Sequence, residues 1–168
     1  MFNYLSILKF KFMKKLVISF VFLLAFGAYS SAQVSSNALG IRFGGGDFLG
    51  GELSYQRGLG SSNRLELDLG FSGNSNKNNF YLAGIYQWNW NIAGGFNWFL
   101  GPGATIGYQN WDDDGRFNLA VGGQLGIEYN FKAIGAPILL SLDTRPMWSF
   151  VGHTGFGWGV DLGLRYVW

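Results

Sequence analysis

The chain has no cysteine in 168 residues. That excludes a disulfide framework, a thiolate metal site and a thiol nucleophile, and with them lipid attachment through an N-terminal cysteine. There is a single histidine, His153, and only 3 prolines. Charged residues make up 13% of the chain, against roughly 25% in soluble domains. Neither sign of charge dominates. Of the 12 basic residues, Lys9, Lys11, Lys14 and Lys15 lie at the N-terminus, and the remainder are slightly outnumbered by the 10 acidic ones. No basic stripe remains for nucleic acid, so no nucleic-acid partner is expected. After residue 28 no apolar run approaches the about 20 residues of a spanning helix. What is plentiful is glycine, 27 residues, and aromatic side chains, 18% of the chain. Many aromatics, many glycines and few charges do not suit a water-soluble helical protein.

The N-terminal stretch "MKKLVISFVFLLAFGAYSSAQ" has two lysines after Met13, an apolar run from Leu16 to Ala28, and small residues at Ser30, Ser31 and Ala32. Basic, then apolar, then small is the order of a secretory signal. Residues 1–32 are therefore expected to be a cleaved signal peptide, with Met13 as an alternative start, and 33–168 to be the mature domain. A membrane anchor is the other reading, but the apolar run is short for it.

From Gln33 onward the texture is uniform: alternating segments separated by clusters of Gly, Asn, Asp and Ser. In "RFNLAVGGQLGIEYNF" one parity carries Phe117, Leu119, Val121, Leu125, Ile127, Tyr129 and Phe131, and the other Asn118, Ala120, Gly122, Gln124, Gly126, Glu128 and Asn130. Period two over such a length predicts a strand with chemically opposite faces. "RLELDLGF", "LLSLDTRPMW", "GFNWFLGPGATIGY", "FYLAGIYQWNW", "GGELSYQ", "ALGIRFG" and the terminal "GVDLGLRYVW" repeat the pattern. About eight strands follow, all β. "GGGDFLGG" opens no helical pattern, so a phosphate loop is not indicated.

The two faces choose the architecture. In a soluble barrel the apolar set would lie inside and the polar set in water. The polar set here is sparse, glycine-rich and charge-paired: Arg42, Arg64, Arg145 and Arg165 against Glu52, Glu66, Asp68, Glu128, Asp143 and Asp161. The apolar set, with several tryptophans, is too bulky for the interior of about eight strands. The reverse assignment fits: charges and glycines inside, bulky residues in lipid. Trp88, Trp90, Trp98, Tyr129, Tyr166 and Trp168 gather near one set of strand ends and Tyr108, Trp111, Trp148 and Trp158 near the other. These are expected to be the two interfacial girdles of a transmembrane barrel. Closure removes every sheet edge, which lipid demands because unpaired backbone groups there cost several kcal/mol each.

With these features, Gln33 to Trp168 resembles the small OmpA/OmpX-type outer-membrane β-barrels of Gram-negative bacteria, a porin-like outer-membrane family. The resemblance implies a single up-and-down antiparallel transmembrane barrel exported to the cell outer membrane, in contact with outer-membrane lipid and lipopolysaccharide. It implies that the C-terminal segment, with Leu162, Leu164, Tyr166 and Trp168, is presented to the barrel-assembly machinery. It carries no active-site residue.

Three constellations are candidates for chemistry. Asn110, Asp112, Asp114 and Gly115 in "NWDDDG" match the opening of a calcium loop, but the closing Glu would fall at Val121; an acidic external turn is the simpler reading, with weak cation binding left open. His153 in "VGHTG" could be compared with the His of outer-membrane lipid A deacylases, but the residue two positions on is Gly155 rather than Ser, so a base stands without its nucleophile. The lumen carboxylates could act as acid and base, or be neutralised by arginine; six acids against four arginines implies a protonated carboxyl or entry of water, for which Gly101, Gly103, Gly107, Gly122 and Gly126 would leave room.

No catalytic, cofactor or metal site is therefore expected. The leading reading is a non-enzymatic structural or surface-interaction barrel with a filled lumen and short loops that could meet an extracellular partner. The alternatives are a narrow channel for small solutes or ions and, further off, a lipid-modifying enzyme. External loops are expected near Gly45 to Asp47, Ser72 to Asn79, Asn110 to Gly115 and Val151 to Gly155. Periplasmic turns are expected near Gly58 to Asn63, Asn91 to Gly94 and Lys132 to Ala136.

Overall fold

A computed structural model describes residues 34–46, 50–74, 77–111, 114–152 and 154–168. The expected signal segment lies outside them. The described chain forms strands β1 (Asn37–Gly46), β2 (Gly50–Gly58), β3 (Asn63–Asn74), β4 (Lys77–Ala93), β5 (Phe96–Trp111), β6 (Asp114–Asn130), β7 (Ile138–Thr144), β8 (Met147–Val151), β9 (Gly155–Gly157) and β10 (Gly159–Val167). Every pairing is antiparallel: β1 to β6 pair in sequence order, β6 pairs with both β7 and β8, β7 with β10 and β8 with β9, and β1 closes the ring on β10.

Ten segments make eight barrel strands. Both β7 and β8 pair with β6 in one register, Thr144 opposite Leu125 and Met147 opposite Gly122. The interruption falls at Arg145-Pro146, where proline has no N–H to give the ladder; its carbonyl still accepts from Gly123 N at 3.1 Å. Likewise β9 and β10 are two parts of the last strand, separated at Trp158. The stretch "LLSLDTRPMW", expected as one strand, is thus one barrel strand with a missing hydrogen bond.

The register fixes the shape. From Tyr129 on β6 the paired residues run through Leu140, Leu164, Ile41, Leu53, Leu69, Leu82 and Ile106, and return to β6 at Leu119. The path closes ten residues from its start. With strands about 4.8 Å apart, that stagger gives a tilt of roughly 40° and a backbone radius of about 8 Å, a lumen that side chains fill.

The polarity is inside-out relative to a soluble protein. Arg42, Arg64, Arg145 and Arg165 are buried, and so are Glu52, Glu66, Asp68, Glu128, Asp143 and Asp161. The large apolar residues of the other parity are exposed, among them Leu53, Leu82, Leu125, Leu142 and Leu162. Trp158 and Trp168 share the outer face of the last barrel strand, at 55% and 49% exposure. Ten residues of tilted strand between them span about 25 Å in height, the thickness of a lipid-facing apolar band.

Rings at the lower edge touch one another: Trp90 stacks on Trp98 at 4.2 Å, Tyr129 meets Phe96 and Phe131 edge-on, and Tyr166 lies against Trp168. At the other edge Phe71, Phe80, Tyr108, Phe117, Trp148 and Phe156 are exposed, so that girdle is richer in phenylalanine than the tryptophans and tyrosines alone suggested. The side chain of Trp111 lies outside the described residues.

The connections fall at two ends, as the alternating pattern predicts. The strand ends at Gly46 and Gly50, Asn74 and Lys77, Trp111 and Asp114, and Val151 and Gly155 lie at one end. The turns at 59–62, 94–95 and 131–137 lie at the other, together with Asn37 and Trp168, which exchange backbone hydrogen bonds at 3.3 and 3.1 Å. Strands β4, β5 and β6 have 17, 16 and 17 residues, β1 and β2 only 10 and 9. The loop-end rim is consequently higher over β4–β6.

Candidate functional site in the charged lumen

Alternation sets the lumen contents. Each inward position on a strand is two residues from the next, and the closed register brings residues distant in sequence to one level. Arg42 of β1 lies at the centre. Its Nη1 pairs with Glu52 and donates to Asp68 Oδ2 at 3.1 Å; its Nη2 donates to Asp143 Oδ1 at 2.5 Å and Asp161 Oδ2 at 3.2 Å. Arg145, at the junction of β7 and β8, pairs with Asp68 and donates to Glu52 Oε1 at 3.1 Å. Arg165 of β10 donates to Glu66 Oε2 at 3.1 Å, Ser54 Oγ at 2.9 Å and Ser141 Oγ at 2.8 Å.

Amides extend the cluster. Gln124 of β6 reaches Glu66 at 3.0 Å and Asp143 at 2.7 Å, and accepts from Gln87 of β4 at 2.5 Å. Gln56 donates to Glu66 at 2.5 Å, and Tyr81 donates its hydroxyl to Glu52. Nearer the turn end Arg64 pairs with Glu128 at 2.7 Å and lies 4.9 Å from the centre of the Phe99 ring, a cation–π contact inside the barrel.

Arg145 and Asp68 decide what the lumen can do. β3 is the fourth strand from the β7–β8 strand in either direction round the ring, so this ion pair crosses the full diameter. Arg42 and Gln124 fill the same level from other walls. A polar cavity of about 520 Å³ opens at the turn end, lined by Ser35, Asn91, Asn97, Asn130 and Lys132 among others. Its inner wall includes Asn97, whose amide donates to Glu128 at 3.3 Å.

Two sequence expectations about the lumen are corrected. The five glycines thought to leave room for water do not. A Cβ at Gly101 would lie 1.7 Å from the carbonyl oxygen of Tyr86, and at Gly103, Gly107, Gly122 and Gly126 one would also meet protein atoms within 3 Å. These glycines let neighbouring strands and side chains approach. The lumen also holds apolar residues: Phe99 is buried, Ile85, Ala120 and Met147 form one cluster, and Ala38, Leu139 and Val167 another. Gln56, Gln87, Gln124, Ser54, Ser141 and Tyr81 were not singled out as a network, although their parity was legible.

Of the other candidates, Asn110 stands opposite Gly115 in the β5–β6 ladder, and Trp111 opposite Asp114. The flanks of the six-residue calcium frame are therefore paired strand ends, and residues 112–113 lie outside the described residues. Val121, where the closing Glu would fall, is exposed on the outer face. His153 lies outside the described residues.

A closed eight-stranded antiparallel barrel, apolar outside and charged within, has the fold of the small outer-membrane barrels. Two solved structures share it. Neisserial surface protein A (NspA) is similar with a TM-score of 0.57 at 12% identity, over 79% of this chain and 94% of that one. Ail, the attachment invasion locus protein of Yersinia pestis, is similar with a TM-score of 0.50 at 12% identity, over 80% of this chain and 97% of that one. No family model matches the chain, and no curated protein matches it. At such identity the likeness shows the fold alone.

Proposed function

We propose that the protein is an integral outer-membrane barrel of structural or surface-interaction type, non-catalytic and non-conducting, with its turn end in the periplasm and its loop end outside the cell. The fold and the outward apolar band support the location. The observation that carries the closed lumen is the Arg145–Asp68 pair across the diameter, backed by Arg42 and Gln124 at the same height. A solute path would require parting several buried ion pairs at once, each costly to break. The same pairing argues against acid–base catalysis, because Glu52, Glu66, Asp68 and Asp143 each meet protein donors within the closed interior rather than at an open cleft.

Contacts with lipopolysaccharide, assembly through the terminal strand ending in Tyr166 and Trp168, and engagement of an extracellular partner at the raised β4–β6 rim belong to this reading. Two of the comparison proteins are a surface protein and an attachment locus product, which is in keeping with a surface role. The test is conductance of the refolded barrel in planar bilayers. The expected trace is flat. Regular, voltage-stable unitary steps would overturn the closed-lumen assignment and favour the channel.

A further inference from the structure

The outer wall is almost free of charge. Among the described residues, Arg57 is the one charged side chain at an outward strand position, sharing its parity with Leu53 and Tyr55 on β2. Its neighbours define its height. Arg57 pairs in register with Asn37 of β1 and Leu65 of β3. Beyond Asn37 comes Trp168, joined to it by two backbone hydrogen bonds; beyond Leu65 comes Tyr86 of β4. Arg57 therefore stands in the aromatic ring of the turn end, over β1–β3, where tryptophan is absent and the ring is otherwise interrupted by Asn37 and Asn63.

The guanidinium is held in place. Asn37 Oδ1 accepts from Arg57 Nη1 and from the Tyr55 hydroxyl, each at 2.8 Å. One acceptor thus fixes the guanidinium beside the half-buried Tyr55, and no other described residue takes up its remaining N–H groups. Leu39, exposed on β1, and Leu67, exposed on β3, flank the site on the side toward the bilayer centre. This arginine at the headgroup level is anchored by a neutral amide, and among the described residues no carboxylate pairs with it. A phosphodiester supplies a counter-charge, matches the planar fork, and carries acyl chains that suit the leucines.

We infer that Arg57, Asn37 and Tyr55 form a binding site for the phosphate of an anionic glycerophospholipid in the leaflet bordering the turn end. This rests on the membrane reading above. The test is native mass spectrometry of the barrel released from nanodiscs of equal phosphatidylglycerol and phosphatidylcholine. The wild type should retain phosphatidylglycerol preferentially. Arg57→Gln should lower that preference about fivefold, the effect of one basic residue at a membrane surface, while Lys132→Gln, a cation in a turn of the same end, should leave it unchanged. If Arg57→Gln does not fold, Asn37→Ser, which removes the anchoring amide, must lower the preference instead.

An unchanged preference in a correctly inserted Arg57→Gln barrel overturns the site and leaves the membrane reading intact. An equal loss with Lys132→Gln overturns it in favour of diffuse charge. Displacement of the lipid by excess inorganic phosphate would reassign the site to a free anion. Failure of the wild type to insert at all would remove the membrane reading, and the site with it.

Discussion

Replacing Arg42 with methionine keeps most of the side-chain volume and removes the central cation of the lumen. The four carboxylates it hydrogen-bonds would not suffer equally. Glu52 and Asp68 keep Arg145, and Asp143 keeps the Gln124 amide at 2.7 Å. Asp161, buried on β10, has no hydrogen-bond or ion-pair partner among the described residues other than Arg42. Removing one member of a buried pair costs about 3–5 kcal/mol, because the other is left uncompensated. Arg42→Met should therefore destabilise the barrel by about that amount, with Asp161 the main debtor. Adding Asp161→Asn should restore about 1–3 kcal/mol, the penalty of an unsatisfied buried charged group. Urea unfolding in phospholipid vesicles, followed by tryptophan fluorescence, measures both, and heat-modifiability on gels checks that each variant reaches the native barrel. A loss under about 1 kcal/mol for Arg42→Met, or no recovery from Asp161→Asn, would refute the reasoning that the network is held by this residue.

Two labelling predictions concern orientation. Thr154→Cys, exposed at the loop end, should react with a membrane-impermeant maleimide on intact cells. Ser61→Cys, exposed in the turn between β2 and β3, should react only after the outer membrane is permeabilised; labelling of intact cells at Ser61 would invert the proposed topology.

The strands were legible because their faces differ so sharply. Arg64, Glu66 and Asp68 between Leu65, Leu67 and Leu69 leave one way to alternate, and β3 follows it from Arg64 to Phe71. The ten lumen charges were legible for the same reason. Phe99 was not, because Asn97-Trp98-Phe99-Leu100 is apolar on both parities after Asn97, and only the contact with Arg64 shows why an aromatic ring is kept inside. Which charges meet could not be read either. Arg145 finds Asp68 across the barrel because closure imposes a ten-residue stagger, a property of the whole ring and of no single strand. The glycines misled: their missing side chains suggested space, whereas the tight curvature of the wall fills it with the next strand. Arg57 was visible as an exception, a cation on the parity of Leu53 and Tyr55, but its significance needed Asn37 and Trp168 beside it.

The central claim is that the apolar face meets lipid and the charged face fills a closed interior. Adjacent residues on β6 test it most directly: Leu125 is exposed on the outer face and Gln124 is buried within the lumen network. A small fluorophore attached through cysteine at each position in turn, with the barrel in lipid vesicles, should be quenched by lipid-soluble nitroxides at Leu125. At Gln124 it should be insensitive to them and shielded from iodide. Free quenching by iodide at Gln124, with no effect of the nitroxides at Leu125, would contradict the account.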